Sequence, residues 1–155
     1  MDRVTPVAIA LGSNLGDRRA HLDRAVSRLA ALLQNIRVSP YIETAPVDVP
    51  EDQPLFLNAA AVGDVALSAR ELLVELLEIE REQGRDRPFP GAPRTLDLDL
   101  VLFGNQVIDE PGLVVPHPRF RERRFVLEPL SQVGPEMVDP ISGKTVQALL
   151  NLLTP

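Results

Sequence analysis

The chain has 155 residues, a formal net charge of −6 and no cysteine, so a single domain over residues 1–155 is expected and disulfides and thiolate metal sites are excluded. The acidic balance argues against nucleic acid as a partner, because that kind of binding depends on a basic surface. The sequence has no secretory signal and no apolar run near the roughly 18 residues of a membrane span, which predicts a cytoplasmic protein without membrane contacts.

The first part of the chain alternates strand and helix patterns. An apolar run at 7–11 predicts a central strand, and leucines at helical spacing predict a helix that begins near Asp17. A second strand is predicted over 36–44, at the edge of a sheet because Pro40 interrupts it. Residues 44–54 contain three prolines and no periodicity, which predicts a stiff loop.

A short glycine-containing segment, Gly12–Gly16, follows the first strand. It lacks the Gly-Lys-Ser/Thr of a P-loop and the third glycine of the dinucleotide-binding fingerprint. We therefore interpret it as a turn between strand and helix, and not as a phosphate-binding loop.

The middle of the chain predicts another strand, a helix and a loop. The strand over 56–62 carries one polar side chain, Asn58, whose amide needs partners if it is buried. A capping box at 68–71 starts the helix, and Glu80 extends its buried stripe, so Glu80 is predicted to point toward the sheet. The proline-rich and arginine-bearing segment 85–93 is predicted to act as a lid.

Two carboxylates in an apolar strand are the most unusual feature of the sequence. Asp97 and Asp99 lie in the strand predicted between Pro93 and Gly104, and their spacing puts both on one face with about 6.6 Å between Cα atoms. At that distance their repulsion is roughly 2.5 kcal/mol for an effective dielectric constant near 20. A hard divalent cation that carries a polyphosphate compensates this repulsion. The alternative is an edge strand whose aspartates face water. Because leucines fill the opposite face, we expect this strand instead to be central in its sheet.

The predicted order is strand, helix, strand, strand, helix, strand, which is the order of a ferredoxin-like βαββαβ core in an α+β fold. Short extended pieces at 107–108 and 113–115 and helices at 126–130 and 146–153 follow as C-terminal additions. The sheet is expected to pack between helices.

Seven arginines lie in two segments that flank the acidic strand, whereas lysine occurs once. Guanidinium groups suit bidentate contacts to phosphate, so a cationic site on an acidic protein indicates a small anionic ligand. These residues are Arg85, Arg87, Arg94, Arg119, Arg121, Arg123 and Arg124.

The string Pro93-Arg94-Thr95-Leu96-Asp97-Leu98-Asp99-Leu100, followed by Phe103-Gly104-Asn105, resembles the signature of the hydroxymethyl-dihydropterin pyrophosphokinases of folate synthesis. Further matching blocks occur in order along nearly the whole chain, from Gly12-Ser13-Asn14 to Pro129-Leu130. The resemblance implies a single pyrophosphokinase domain that moves the terminal pyrophosphate of ATP to the hydroxymethyl group of a reduced pterin and releases AMP.

The resemblance also implies a role for individual residues. The predicted magnesium ligands, for two ions on the ATP triphosphate, are Asp97 and Asp99. The predicted catalytic cations that contact the triphosphate are Arg85, Arg94, His117 and Arg123. The predicted pterin-binding residues are Thr44, Val47, Phe56, Asn58 and Phe125, with the two phenylalanines as an aromatic clamp. Glu80 is predicted near both substrates, and the partners are ATP and the reduced pterin, bound by a monomer.

The sequence departs from the family pattern just before the acidic strand, where 89–92 reads Phe-Pro-Gly-Ala in place of the usual aromatic and basic residues. Two alternatives stay open on the residues alone. A small-ligand regulatory module explains the fold and Asn58, but not the paired acids or the arginines. A two-metal phosphodiesterase explains the acids, but the acidic surface disfavours a nucleic-acid substrate.

Overall fold

The computed structural model describes residues 3–44, 55–84 and 95–153. The strands within these ranges are β1 (Thr5–Ser13), β2 (Gln34–Val38), β3 (Ile42–Thr44), β4 (Phe56–Val65), β5 (Asp97–Phe103), β6 (Ile108–Glu110) and β7 (Leu113–Val115). The helices are α1 (Arg18–Leu32), α2 (Ala69–Glu82), α3 (Arg124–Val133) and α4 (Val146–Leu152), with a 3-10 turn at Phe120–Glu122. This order confirms the predicted ferredoxin-like α+β fold with C-terminal additions.

The main sheet is antiparallel, with strand order β2-β4-β1-β5 and with β3 also paired to β4. β1 lies between β4 and β5, as predicted for the first apolar run. The strand predicted over 36–44 is two short strands, because the chain leaves the ladder around Pro40. Ser39 bridges this break: its N–H donates to the Ala60 carbonyl, and its hydroxyl accepts from the Ala60 N–H, both at 2.9 Å.

The acidic strand β5 is the last strand of this sheet, which corrects the prediction of a central strand. Within the described ranges β5 pairs with β1 alone. The Leu98 N–H donates instead to the Glu80 carboxylate, at 2.7 Å. Leu98 and Leu100 are buried. An apolar run therefore indicates that other elements cover the faces of a strand. It does not indicate that the strand pairs with a neighbour along both edges.

Helices cover both faces of the sheet, which confirms the expected layering. On one face Ile9 and Leu11 of β1 pack in a buried cluster with residues of α1 and α2. On the other face Ala8 and Ala10 belong to a cluster with residues of α3 and α4. The small side chains on this second face let α3 approach the sheet closely.

The predicted starts of the first two helices are confirmed. The Asp17 carboxylate accepts from the Ala20 N–H at the start of α1. The capping box of α2 is complete, because the Ser68 hydroxyl accepts from the Glu71 N–H while the Glu71 carboxylate accepts from the Ser68 N–H. None of the helices in the described part of the chain combines the length and apolar character of a membrane span.

The C-terminal additions attach to the sheet through an irregularity of β5. Ala8 faces Leu102 and Ile9 faces Leu100, so Val101 is an extra residue, which is the pattern of a β-bulge. The Val101 carbonyl accepts from the His117 N–H at 3.0 Å. The bulge therefore fixes the segment that follows β7, and this segment leads through the 3-10 turn into α3. α3 is longer at both ends than the helix predicted over 126–130.

Candidate active site

A row of three paired residues crosses the sheet near the ends of its strands. Gly12 of β1 faces Asn58 of β4 on one side and Asp97 of β5 on the other. In the next row Ala10 faces Asp99. Directly paired residues share a face, so the amide and both carboxylates project on the same side, the side of α3. With strands about 4.8 Å apart, the Cα atoms of Asn58 and Asp97 are about 10 Å apart.

Gly12 makes room for the side chains of β4. A Cβ atom at this position would lie 3.2 Å from the Asn58 Oδ1 atom and 3.7 Å from the Phe56 Cδ1 atom. The Asn58 amide and the Phe56 ring therefore lie beside the β1 backbone at Gly12. Asn58 is 5% exposed, and its Nδ2 atom donates to the Thr44 hydroxyl at 2.5 Å. Thr44, Phe56 and Asn58 are thus adjacent, whereas Val47 lies outside the described residues.

Asp97 and Asp99 are half-buried and stand opposite the two smallest side chains of β1, Gly12 and Ala10. The facing residues of β1 therefore have little or no side chain, and the two carboxylates offer only oxygen atoms as ligands. Such a pair fits a hard divalent cation that keeps further oxygen ligands from water or from a phosphate. No group of three or more metal-ligating His, Asp or Glu side chains occurs within the described ranges.

His117 is half-buried and lies near enough to Asp97 for the charge of that carboxylate to act on its ring. Burial lowers the pKa of His117 below its ordinary value of 6.5, the positive charge of Arg123 lowers it further, and the negative charge of Asp97 acts in the opposite direction. The Arg119 N–H donates to the Nδ1 atom at 3.2 Å, so the neutral ring carries its proton on Nε2. The proton that makes the ring positive is bound more tightly in the unfolded chain than in the folded protein. The contribution of neutral His117 to stability is therefore complete above pH 6.5 and decreases as the pH falls below this value.

The guanidinium group of Arg123 lies beside an aromatic ring. Its Cζ atom lies 5.6 Å from the centre of the Phe125 ring. The Arg123 carbonyl accepts from the N–H groups of Val126 and Leu127, so the residue is fixed at the start of α3. Phe125 is half-buried against the α3-side core, the same side of the sheet as Phe56 and Asn58.

The other C-terminal arginines are paired with carboxylates. Arg121 binds Asp139 at 2.5 and 2.9 Å. Arg119 and Arg124 make longer, exposed pairs with Glu122 and Glu128, at 4.0 and 3.8 Å. Because Asp139 neutralises Arg121, this residue does not fit the prediction that the clustered arginines form one anion-binding site. Arg85, Arg87 and Arg94 lie outside the described residues.

Glu80 is 3% exposed and points toward the sheet, as predicted. Its carboxylate accepts from the Leu98 N–H, between the two aspartates in sequence. Glu80 comes from α2, however, so it approaches β5 from the helix side that is opposite to Asp97 and Asp99. In the described structure it fixes the backbone of the acidic strand.

Sequence reasoning missed two residues that shape this region. Gly12 was interpreted only as part of a turn, although the small residues at alternate positions of β1 signal a close approach on one face. Asp139 was not singled out, because the sequence does not indicate its pairing with Arg121.

A family model described as 7,8-dihydro-6-hydroxymethylpterin-pyrophosphokinase (HPPK) matches residues 8–135. The 2-amino-4-hydroxy-6-hydroxymethyldihydropteridine pyrophosphokinase of Pseudomonas aeruginosa is 42% identical over 146 residues, which are 93% of this chain and 89% of that protein. The enzyme of the same name from Bacillus subtilis is 46% identical over 127 residues, which are 81% of this chain and 75% of that protein.

Some relatives are much longer. The folic acid synthesis protein of Pneumocystis carinii is 37% identical over 90% of this chain, but the match spans only 19% of that protein. The solved structure of wild-type HPPK-DHPS from Plasmodium falciparum superimposes with a TM-score of 0.74 over 97% of this chain and 45% of that chain. At 15% identity this likeness supports the fold alone.

The charged neighbours of His117 predict how its titration responds to substitution. Arg123→Gln removes a positive charge that lowers the pKa of His117, so the pKa is expected to rise. Asp97→Asn removes a negative charge that raises it, so the pKa is expected to fall further. The measurement is an NMR titration of the imidazole Cε1 proton in metal-free protein.

Arg28→Gln is the matched control, because it removes an exposed arginine that pairs with Glu82 on the other side of the molecule. This variant should leave the titration midpoint of His117 unchanged. Shifts of the same sign in the Arg123 and Asp97 variants would contradict the arrangement.

Proposed function

Because the chain belongs to the 7,8-dihydro-6-hydroxymethylpterin-pyrophosphokinase family of folate biosynthesis, we propose that the face of β4, β1 and β5 beside α3 is its active site. Here the pyrophosphoryl group of ATP is transferred to the hydroxymethyl group of the reduced pterin, and AMP is released. The observation that carries the proposal is the row Asn58–Gly12–Asp97, because it sets a group suited to pterin recognition and a group suited to phosphate charge on one face.

Asn58 reads the edge of the pterin. Its hydrogen bond to Thr44 holds the amide in one orientation, which presents its carbonyl and remaining N–H to donors and acceptors of the heterocycle. Phe56 and Phe125 stack on the two faces of the ring, since both lie on this side of the sheet. The main chain around Val47 adds further contacts in the proposal.

Asp97 and Asp99 would hold two magnesium ions together with the triphosphate of ATP. When bound, magnesium neutralises charge on the phosphate oxygens and orients the transferred group. The half-buried carboxylates, which face small residues on β1, support this assignment. Glu80 keeps the β5 backbone in place beneath the two carboxylates through its hydrogen bond to Leu98.

His117 and Arg123 contact the transferred group from the segment between β7 and α3. The neutral imidazole donates from Nε2 to a phosphate oxygen, because Nδ1 is already occupied by the Arg119 N–H. Arg123 contributes a fixed positive charge, and Arg85 and Arg94 add further charge in the proposal. Transfer of this kind requires positioning and charge stabilisation more than covalent catalysis, which is what these groups provide.

Family membership removes the basis for the two alternatives, the regulatory module and the phosphodiesterase. The substrates ATP and hydroxymethyl-dihydropterin follow from the family. The single domain over 1–155, the monomeric state and the cytoplasmic location stay predictions.

The reaction itself is tested by product analysis. Protein incubated with ATP, magnesium and 6-hydroxymethyl-7,8-dihydropterin is expected to form AMP and a pyrophosphorylated pterin in equal amounts, resolved by anion-exchange chromatography and mass spectrometry. Omission of the pterin is the control for ATP hydrolysis. ADP as the sole nucleotide product would refute the proposed function.

The paired aspartates predict a loss of activity without a loss of stability. Asp97→Asn and Asp99→Asn are each expected to lower kcat by roughly 100-fold or more, because charge on the triphosphate is no longer compensated. The fold should be retained without metal, since each amide keeps the shape of the half-buried carboxylate that it replaces. Asp109→Asn, at an exposed position of β6, is the matched control. Unchanged magnesium dependence in both active-site variants would contradict the metal role.

Replacement of Gly12 by alanine is predicted to weaken pterin binding selectively. Gly12→Ala introduces a methyl group 3.2 Å from the Asn58 Oδ1 atom, which must displace the amide from its recognition geometry. Calorimetry should show pterin binding weaker by about 1–3 kcal/mol, the cost of a mispaired polar group, and little change for a nonhydrolysable ATP analogue. Equal losses for the two ligands would show that the substitution disturbs the whole site.

A further inference from the structure

A buried ion pair lies next to the proposed active site. The guanidinium group of Arg121 donates to both carboxylate oxygens of Asp139, from Nε at 2.5 Å and from Nη2 at 2.9 Å. The Asp139 side chain is 0% exposed and the Arg121 side chain is 25% exposed. Two parallel hydrogen bonds fix the distance and also the orientation of the guanidinium plane.

Asp139 is itself held rigidly by the C-terminal turn. Its carboxylate also accepts from the N–H groups of Ile141 and Ser142, at 3.0 and 3.3 Å, and from the Ser142 hydroxyl at 2.7 Å. An isolated β-bridge between Val138 and Thr145 closes this turn, and α4 follows it directly. The carboxylate is therefore a fixed point to which Arg121 is attached.

The charge of Asp139 persists throughout the physiological pH range. Burial acts to raise the pKa of Asp139, but hydrogen bonds from Arg121, Ser142 and Ile141 outweigh it and lower the pKa to about 2. A carboxylate with a lowered pKa contributes stability that is complete above its unfolded pKa of 3.8 and is lost as the pH falls through about 2. Assays near pH 7 therefore examine an intact pair.

Arg121 belongs to the 3-10 turn that separates His117 from Arg123. The Phe120 N–H donates to the His117 carbonyl at 3.3 Å, and the Arg123 N–H donates to the Phe120 carbonyl at 3.2 Å. Phe120 is fully buried, and the Arg121 Cζ atom lies 4.8 Å from the centre of its ring. A displacement of this turn therefore displaces Arg123.

The turn has one anchor at each end. At the start, the His117 N–H is bound to the carbonyl of the bulged residue Val101. Near the end, the anchor is the pair of Arg121 with Asp139. Arg124, by contrast, pairs with Glu128 on the exposed surface of its own helix, and such a pair does not fix the turn to another part of the fold.

We propose that Asp139 is a positioning residue of the active site: acting through Arg121, it holds the 3-10 turn so that Arg123 keeps its place beside the triphosphate. The inference rests on the proposed function, in which Arg123 contacts ATP. Arg121 itself serves as the anchor and not as a phosphate ligand.

The test is a double-mutant cycle between Asp139 and Arg123. Asp139→Asn retains a side-chain carbonyl for the turn but loses the charged fork, and it is expected to lower kcat/KM for ATP by roughly 10- to 100-fold. Arg123→Ala alone lowers the same quantity. In the Arg123→Ala background, Asp139→Asn should have little further effect on kcat/KM, whereas it should lower the melting temperature in both backgrounds.

Leu149→Ala is the control for a general loss of stability. Leu149 is a buried residue of α4 in the same core cluster as Phe120, so the variant loses packing and leaves the Arg121–Asp139 pair in place. Assayed well below its melting temperature, it should keep the kcat/KM of the wild type for ATP. Arg121→Lys provides a second route if Asp139→Asn does not fold, and it should retain more activity than Arg121→Met.

Several results would overturn the inference. If the double variant loses kcat/KM for ATP by the product of the two single losses, Asp139 does not act through Arg123. Activity loss no greater than in Leu149→Ala at matched stability would show a structural role only. If the wild-type protein forms ADP and not AMP, the proposed function fails, and calorimetry of the same cycle with a nonhydrolysable ATP analogue and magnesium still decides the role of Asp139.

Discussion

The register of three antiparallel strands is the constraint on which the proposed site depends. It sets Gly12 between Asn58 and Asp97 and directs all three positions to one face. A shift of one residue between β1 and either neighbour would turn the amide or the carboxylates into the helix-covered core on the other face. The many apolar residues at the alternate positions, such as Ile9, Leu11 and Leu98, oppose that shift because they would become exposed to the site.

The edge position of β5 makes two neighbouring carboxylates compatible with an apolar strand. A central strand would need a partner on each side and would surround both groups with protein, whereas an edge strand leaves them half-buried and partly hydrated. The backbone of an edge strand then has donors without a ladder partner. Glu80 supplies an acceptor for one of them, at Leu98, so the carboxylate of α2 fixes the strand without using the site-facing side.

Much of this fold is predictable from local chemistry. The capping box at Ser68 and Glu71 and the alternation of Asp97 and Asp99 depend on neighbours within a few residues, and the structure has both. The edge position of β5 is not predictable in this way, because periodicity reports burial of a face and not the number of neighbouring strands. The sequence therefore predicts that Asp97 and Asp99 share one face of a strand, but not that this strand pairs with β1 alone within the described ranges.

The partners of the C-terminal arginines depend on contacts between distant segments. Arg121 and Asp139 are 18 residues apart, and their pairing requires the 3-10 turn and the C-terminal turn to meet over Phe120. Sequence spacing alone therefore groups Arg121 with Arg123. In the structure Asp139 neutralises Arg121, whereas Arg123 is not paired with a carboxylate within the described ranges. The missed role of Gly12 has the same origin, since its neighbour Asn58 is brought to it by strand pairing.

The arrangement of His117 limits the role that this side chain can have in the proposed site. An imidazole that is buried next to Arg123 is neutral at pH 7, and its Nδ1 atom already accepts a backbone hydrogen bond, so it has no site left from which to act as a base. What remains is an Nε2–H donor of fixed direction. In the proposed mechanism, this donor, the guanidinium group of Arg123 and two carboxylates suited to metal ions stabilise charge that is already present on the phosphates. Such a mechanism depends on how rigidly the groups are held, and the proposed anchors behind them, at Val101 and Asp139, act on this rigidity.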